Sequence, residues 1–214
     1  MGFGRGRGFS PPVGPPFPEG YTGPIELKVV DSQWTFWLLR MVKGETYAAL
    51  HGASDATSIP SSSDRFCVQG YYGVNYYDVE RKPLYFDTSS IPAGAVIASA
   101  ILLQNIDFVD GRERDIHLVD APGLHDPPVV GDYGYLLGRT ASLGVLLATD
   151  HEHILRNTWF INQAGLDSIV KGGQTKWAMR TIDDINASAP SVTAEGMHLR
   201  VEHSRLIVTY WLPP

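Results

Sequence analysis

The chain has 214 residues, 43% of them hydrophobic, which suits one large domain, or one domain and an arm, built around a real core. Charged residues make up only 19% and the formal net charge is −6, which excludes a general electrostatic attraction to nucleic acid or to an anionic membrane. Glycine (22) and proline (15) are abundant, favouring a turn-rich all-β chain, and the single cysteine, Cys67, excludes an intrachain disulfide and reads as a buried, inert thiol.

Residues 1–24 differ from the rest: "GFGRGRGF" is followed by "SPPVGPPFPEGYTGP". The glycines make the first part flexible, and the prolines of residues 11–18 favour polyproline II. An extended arm with no core of its own is predicted. It holds no apolar h-region, and position 6 is Gly, so neither a secretory signal peptide nor a myristoylation signal is read here. No stretch approaches transmembrane length. The expectation is a chain made in a host cytoplasm.

The body is predicted over residues 25–214. "IELKVV" (25–30) alternates as a strand with one wet face, and "TFWLLRMV" (35–42) is a second apolar segment. Residues 51–64 read as a loop. "RFCVQGYYGVNYYDV" (65–79) is aromatic and β-prone, broken by Gly70 and Gly73. "PLYF" (83–86) and "VIASAILLQNIDF" (96–108) are strands, the second apolar at both parities, as in a strand covered on both faces. "VDG" (109–111) marks a turn, "DIHLVDA" (115–121) alternates again, and residues 122–140 form a long irregular connection. After "TWFIN" (158–162), Ala164, Leu166, Ile169 and Val170 fit one short helix closed by Gly172 and Gly173. "TKWAMRTI" (175–182) and "LRVEHSRLIVTYWL" (199–212) supply the last strands, with Leu206, Val208 and Tyr210 on one face. Strands joined by long loops, without βαβ units, predict an all-β, jelly-roll-like antiparallel β-sandwich with one short helix and an extended N-terminal arm.

Between two of these strands sits "FDTSSIPAGA" (86–95). Phe86 is predicted to end one strand facing inward. Asp87 accepts backbone N–H groups in an Asx-type turn, and Thr88, Ser89 and Ser90 satisfy the remaining backbone groups. Pro92 sets φ and Gly94 permits the reversal. The stretch reads as a structural corner carrying the chain from one sheet to the other.

The corner is also where a family resemblance enters. "PLYFDTSSIPAGAVIASAILL" resembles the signature of β-sandwich domains related to the DNRLRE (disaggregatase-related) modules, in which an arginine and a short apolar strand precede "FDTSSIPxGAxIxSAxLxL". Arg81, Phe86, Asp87, Thr88, Ser89, Ser90, Ile91, Pro92, Gly94, Ala95, Ile97, Ser99, Ala100 and Leu102 match in order. "GDYG" (131–134), "FINQAGLDSIVKGGQTKWAMRTIDDI" (160–185) and "RLIVTY" (205–210) resemble three further family segments, so the likeness covers roughly residues 25–210. Departures at Gln104, Asn105 and Arg205 are read as a locally adapted surface. The resemblance implies a sandwich fold, likeness to carbohydrate-binding and adhesive modules of surface proteins, and likeness to virus and phage particle components. It carries no shared catalytic set.

Motifs for chemistry are weak. His151 and His153 in "DHEH" have the spacing of a two-histidine metal edge, but no following Glu or His completes a site, and an exposed polar loop is expected. Asp107, Asp110, Glu113 and Asp115 lie among Arg112 and Arg114, which reads as a turn with local ion pairs rather than a calcium loop. There is no nucleophile elbow and no dinucleotide loop. Tyr71, Tyr72, Tyr76 and Tyr77 form the best surface candidate for stacking on sugars or anchoring an interface, while Trp159 and Trp177 read as core.

The expectation is therefore a non-enzymatic structural protein of a phage or virus particle, a capsid decoration or appendage subunit located in the virion. Its arm is expected to dock through Phe3, Phe9, Val13 and Phe17 on other subunits, giving a homo-oligomer. The alternative is a carbohydrate-binding module at an extracellular surface. No catalytic residue, cofactor, metal, membrane or nucleic-acid partner is expected.

Overall fold

The structure, a computed structural model, describes residues 19–30, 36–61, 66–73, 76–111, 114–150, 155–189 and 197–214. The arm residues Phe3, Phe9, Val13 and Phe17, and the pair His151 and His153, lie outside them.

Ten strands pair in antiparallel fashion: β1 (Thr22–Val30), β2 (Leu38–Met41), β3 (Phe66–Gly73), β4 (Tyr76–Asp87), β5 (Val96–Gly111), β6 (Ile116–Asp120), β7 (Ser142–Leu146), β8 (Leu155–Phe160), β9 (Gln174–Thr181) and β10 (Met197–Leu212). They form an all-β sandwich. In the first sheet β10 pairs β5 along its length, β5 pairs β8, β10 also takes β1 and β3, and β3 and β2 pair the first half of β4. In the second sheet residues 82–87 of β4 pair β9, β9 pairs β6, and β6 pairs β7. Strand β4 thus belongs to both sheets.

The core lies between the sheets. Leu102, Trp159, Leu206, Val208 and Tyr210 from the first meet Leu84, Phe86, Ile116, Leu118, Trp177 and Met179 from the second. Each set occupies alternate positions of its strand, the period that puts every second side chain on one face. Trp159 and Trp177 are completely buried, and the Phe86 ring meets Trp177 edge-on at 5.7 Å between centroids.

A third layer was not foreseen. One short helix was expected, yet the described residues hold four α-helices: α1 (Tyr47–His51), α2 (Asp132–Leu137), α3 (Gln163–Asp167) and α4 (Ile182–Ile185). None exceeds six residues, too short for a 3.6-residue apolar period to stand out. Helix α2 lies inside the predicted irregular connection, and α1 runs into the predicted loop. With Leu38, Ala56 and Leu124, helices α1 and α2 cover the far face of the second sheet, where Val79, Tyr85, Val119, Ala121 and Ala178 form a second apolar cluster.

Other boundaries shifted for backbone reasons. Strand β1 starts at Thr22, three residues before the expected body, because pairing with Leu212 needs no alternation of side chains, and Gly23 and Pro24 hide it. The turn expected at residues 109–111 is strand, paired to the start of β10. Strand β7 carried no sequence signal that was used.

The corner at residues 87–95 does run from the second sheet to the first. Asp87 Oδ1 accepts the Ser89 N–H at 3.0 Å, and the Ala95 N–H donates to the Pro92 carbonyl at 2.9 Å. Thr88 acts at longer range than expected: its hydroxyl donates to the Val170 carbonyl at 2.6 Å and lies 2.9 Å from Thr175 Oγ1, stapling the corner to β9. Gly94 is a correction. Its φ is not positive, and an added Cβ would meet only Pro213 at an ordinary 3.5 Å, so any small residue could make this turn.

Phe86→Ala should lower the unfolding free energy by roughly 3–5 kcal/mol, since it empties a site where the two sheets meet. Urea denaturation followed by tryptophan fluorescence checks it; a loss below about 1 kcal/mol would mean that the sheets do not close on this ring.

Candidate functional site

The charged residues that this fold gathers most tightly are Arg81, Arg180 and Asp184, each 0% exposed. Register explains the meeting. Lys82 and Met179 are paired across β4 and β9, so the preceding and following residues, Arg81 and Arg180, fall side by side on the face beneath the helices. Two like charges there would repel strongly in a medium that screens poorly. Asp184 answers both. Thr181 caps α4, its hydroxyl accepting the Asp184 N–H at 3.1 Å, and this first helical turn swings the carboxylate back over β9.

The contacts are dense. Arg81 donates from Nε and Nη2 to the two Asp184 oxygens at 3.1 and 2.9 Å, and Arg180 Nε donates to Oδ2 at 2.5 Å. Other N–H groups of the two guanidiniums donate to six carbonyls: His51, Tyr133, Leu136, Leu137, Arg139 and Asp184 itself. Several belong to the ends of α1 and α2, where orphaned carbonyls need donors. One carboxylate cannot neutralise two cations, and these carbonyl dipoles supply the balance. The Arg81 guanidinium also lies 4.1 Å over the Tyr133 ring, and His51 Nε2 is 2.6 Å from the Asp184 carbonyl oxygen.

Burial by itself would raise the Asp184 carboxyl, but the charge of Arg81, hydrogen bonds from His51 and Arg81, and the charge of Arg180 outweigh it and hold the group far below the carboxylate range. Burial pushes Tyr47 and Tyr133 well above the usual phenol value, so both stay neutral. An ionised carboxylate that no solvent reaches can hold layers together. It cannot exchange protons with a substrate.

Three of the four residues of "GDYG" have a place in this arrangement. Asp132, buried, accepts the Val129 N–H at 2.9 Å and lies 2.8 Å from His125 Nδ1, pinning the loop before α2. Tyr133 supports Arg81 and donates its hydroxyl to the Leu50 carbonyl at 3.2 Å. Gly134 must lack a side chain, because a Cβ would sit 2.4 Å from the Ser54 carbonyl oxygen. His51, Asp132, Arg180 and Asp184 were not singled out from the sequence. The usable signal was the four-residue step from Arg180 to Asp184, straddling a strand end.

The singled-out residues are dispersed. Phe86, Asp87, Pro92 and Gly94 form the corner. Tyr76 and Tyr77 are half-buried on β4, Tyr77 edge-on to Tyr47 at 5.6 Å, while Tyr71 and Tyr72 lie on β3 with side chains outside the described set. Trp37, Trp159, Trp177 and Trp211 are all buried. Arg114 pairs with Asp183, and Asp115 accepts the Ala148 N–H at 2.8 Å, so these two residues of the acidic stretch bond to distant segments. Gln104 is a further correction: it is fully buried, donating to Ser204 Oγ at 2.8 Å, and is no surface adaptation. His125 is an exposed ionisable side chain with a buried partner, 65% exposed against Asp132. Among the described residues no three His, Cys, Asp or Glu side chains are placed to hold a metal ion, and no helix is long and apolar enough to cross a membrane.

No protein-family model and no curated protein matches the chain. Among solved structures it is similar to a mutant of Xylanase10C from Cellvibrio japonicus in complex with xylopentaose, at 9% identity and a TM-score of 0.40, covering 85% of this chain and 28% of that one. The chain therefore spans under a third of that protein, and a likeness this loose carries no argument about activity. The resemblance to DNRLRE-related modules stands on the motif residues alone.

Asp184→Asn leaves two buried guanidiniums without their anion and should cost roughly 3–5 kcal/mol. The folded carboxyl lies below its unfolded value, so its stabilisation is complete above about pH 4 and is withdrawn as pH falls from there. Acid titration of stability should therefore be steep in the parent and flatter in the variant; equal slopes would remove Asp184 from this role. Gly134→Ala should also destabilise, by an amount calorimetry would detect, because its neighbour is backbone and cannot turn away.

Proposed function

We propose that the chain is a non-enzymatic structural subunit of a phage or virus particle, a capsid decoration or appendage protein of the virion, assembling through its N-terminal arm and a face of the sandwich into a homo-oligomer. The observation that carries this reading is the sealed state of the charged cluster. Arg81, Arg180 and Asp184 have no exposure, and their hydrogen bonds run to strands, helix ends and one another. Charge at this density joins layers of a scaffold. The arm supports the same reading: Phe3, Phe9, Val13 and Phe17 alternate with glycine and proline and lead straight into the strand β1. Prolines lower the ordering cost of docking such a segment.

Glycan binding is the second reading. It is favoured by the pairing of Tyr71 with Tyr77 across β3 and β4, which brings four tyrosines to one hairpin. Among the described residues, burial of Trp37, Trp159, Trp177 and Trp211 takes those indole rings out of contention.

The test is the mass of the intact chain beside that of a chain lacking residues 1–18, by sedimentation, with a glycan array on the same samples. We expect a multimer, a folded monomer after truncation, and no glycan signal. A truncated chain that still assembles removes the arm from the proposal, and a monomeric intact chain that binds glycan replaces it.

A further inference from the structure

Strand β1 is less closed on its inward side than the strand beside it. Among the described residues β1 pairs with β10 alone. On β10 the inward-facing Leu206 and Val208 are fully buried, and Tyr210 nearly so. Their register partners on β1 are Val29, Leu27 and Ile25. Val29 is buried, but Leu27 and Ile25 are only half-buried, although they pack against the same core. Solvent therefore reaches the interior side of the sandwich at this margin. The outward side of β1 carries Glu26 and Lys28, with side chains 55% and 60% exposed. They stand two residues apart on one face and form an ion pair at 3.3 Å. A pair so exposed contributes little to the stability of its own subunit.

Edge strands are commonly blunted by charge, with lysine the usual choice, and the device works because like edges repel. Glu26 and Lys28 do the opposite when this edge meets itself. In antiparallel pairing about a twofold axis at Leu27, Glu26 stands across from the partner's Lys28, and Lys28 across from the partner's Glu26. On the inward side the same register sets Leu27 against the partner's Leu27 and Ile25 against the partner's Val29, so the half-buried residues are covered by apolar groups. Moving the axis to Glu26 or to Lys28 would instead set like charges directly opposite. Resting on the assembly reading above, we infer that β1 pairs with β1 of a second copy about Leu27, joining two first sheets into one. The occupant is a second copy because the edge is complementary to itself. Residues 25–29 span about 17 Å, and five residues compare with roughly 20–30 a side in a stable interface. The seam therefore sets the orientation and register of an association whose strength also comes from the arm.

The experiment uses the full chain, with sedimentation at matched concentrations and low salt. Glu26→Lys alone, or Lys28→Glu alone, sets two like-charge pairs across the seam and should weaken self-association about tenfold, with the parent's circular dichroism. An equal mixture of the two single variants should associate as the parent does, because each supplies the charge the other lacks, and the double variant should do the same. Recovery on mixing separates the seam from the ion pair inside one chain, which a second chain cannot repair. Single variants that associate like the parent would overturn the seam while leaving the assembly reading intact. So would a mixture or a double variant that stays as weak as the single ones. A parent chain that is monomeric throughout would overturn both.

Discussion

A single carboxylate decides how this molecule closes. Asp184 sits between Arg81 and Arg180 with no access to water, and without it two guanidiniums on adjacent strands would face each other in a poorly screening interior. The three come from three elements, β4, β9 and α4. Their remaining donors reach the carbonyl ends of α1 and α2. The short helices are far too small to be stable by themselves. They exist as a layer because the arginines bind their otherwise orphaned carbonyls and because Tyr47, Leu50, Tyr133 and Leu136 bury against the second sheet.

Other features follow from that tie. A layer drawn down on the sheet brings backbone close to backbone, which is why position 134 has room only for glycine against Ser54. The loop leading into α2 must be held before the helix can present Tyr133, and buried Asp132 holds it through Val129 and His125. The corner after β4 is fastened separately, by Thr88 to the carbonyls of Val170 and Gly173. Residues of the family-like motifs are thereby mostly accounted for by closure of the fold, and the physical content of the resemblance is a way of packing layers.

The two sheets end up unequal. The outer side of the second is roofed by helices and loops; the outer side of the first carries half-buried Ile101, Leu103 and Ile207 beside exposed Phe160. Apolar side chains scattered singly on a surface need no explanation, but a row in register across three strands does.

Much of the fold was legible in the residues. Alternation marked β1, β6 and β10, unbroken apolarity marked β5, and the turn chemistry of Asp87, Thr88 and Pro92 marked the corner, because these are local effects with a period of two or a span of a few residues. The short helices were not legible, since four to six residues cannot display a helical period. Nor was the role of Arg81, Arg180 and Asp184. Arg81 lies 103 residues from Asp184, and a charged residue in a strand looks alike whether it faces water or a buried partner. Local pattern determined which segments are strands and which face turns inward. Tertiary structure alone decided that Arg81 and Arg180 share one anion, that Gln104 lies inside, and that short helices roof the second sheet. Those outcomes depend on register between strands distant in sequence, which no short stretch encodes.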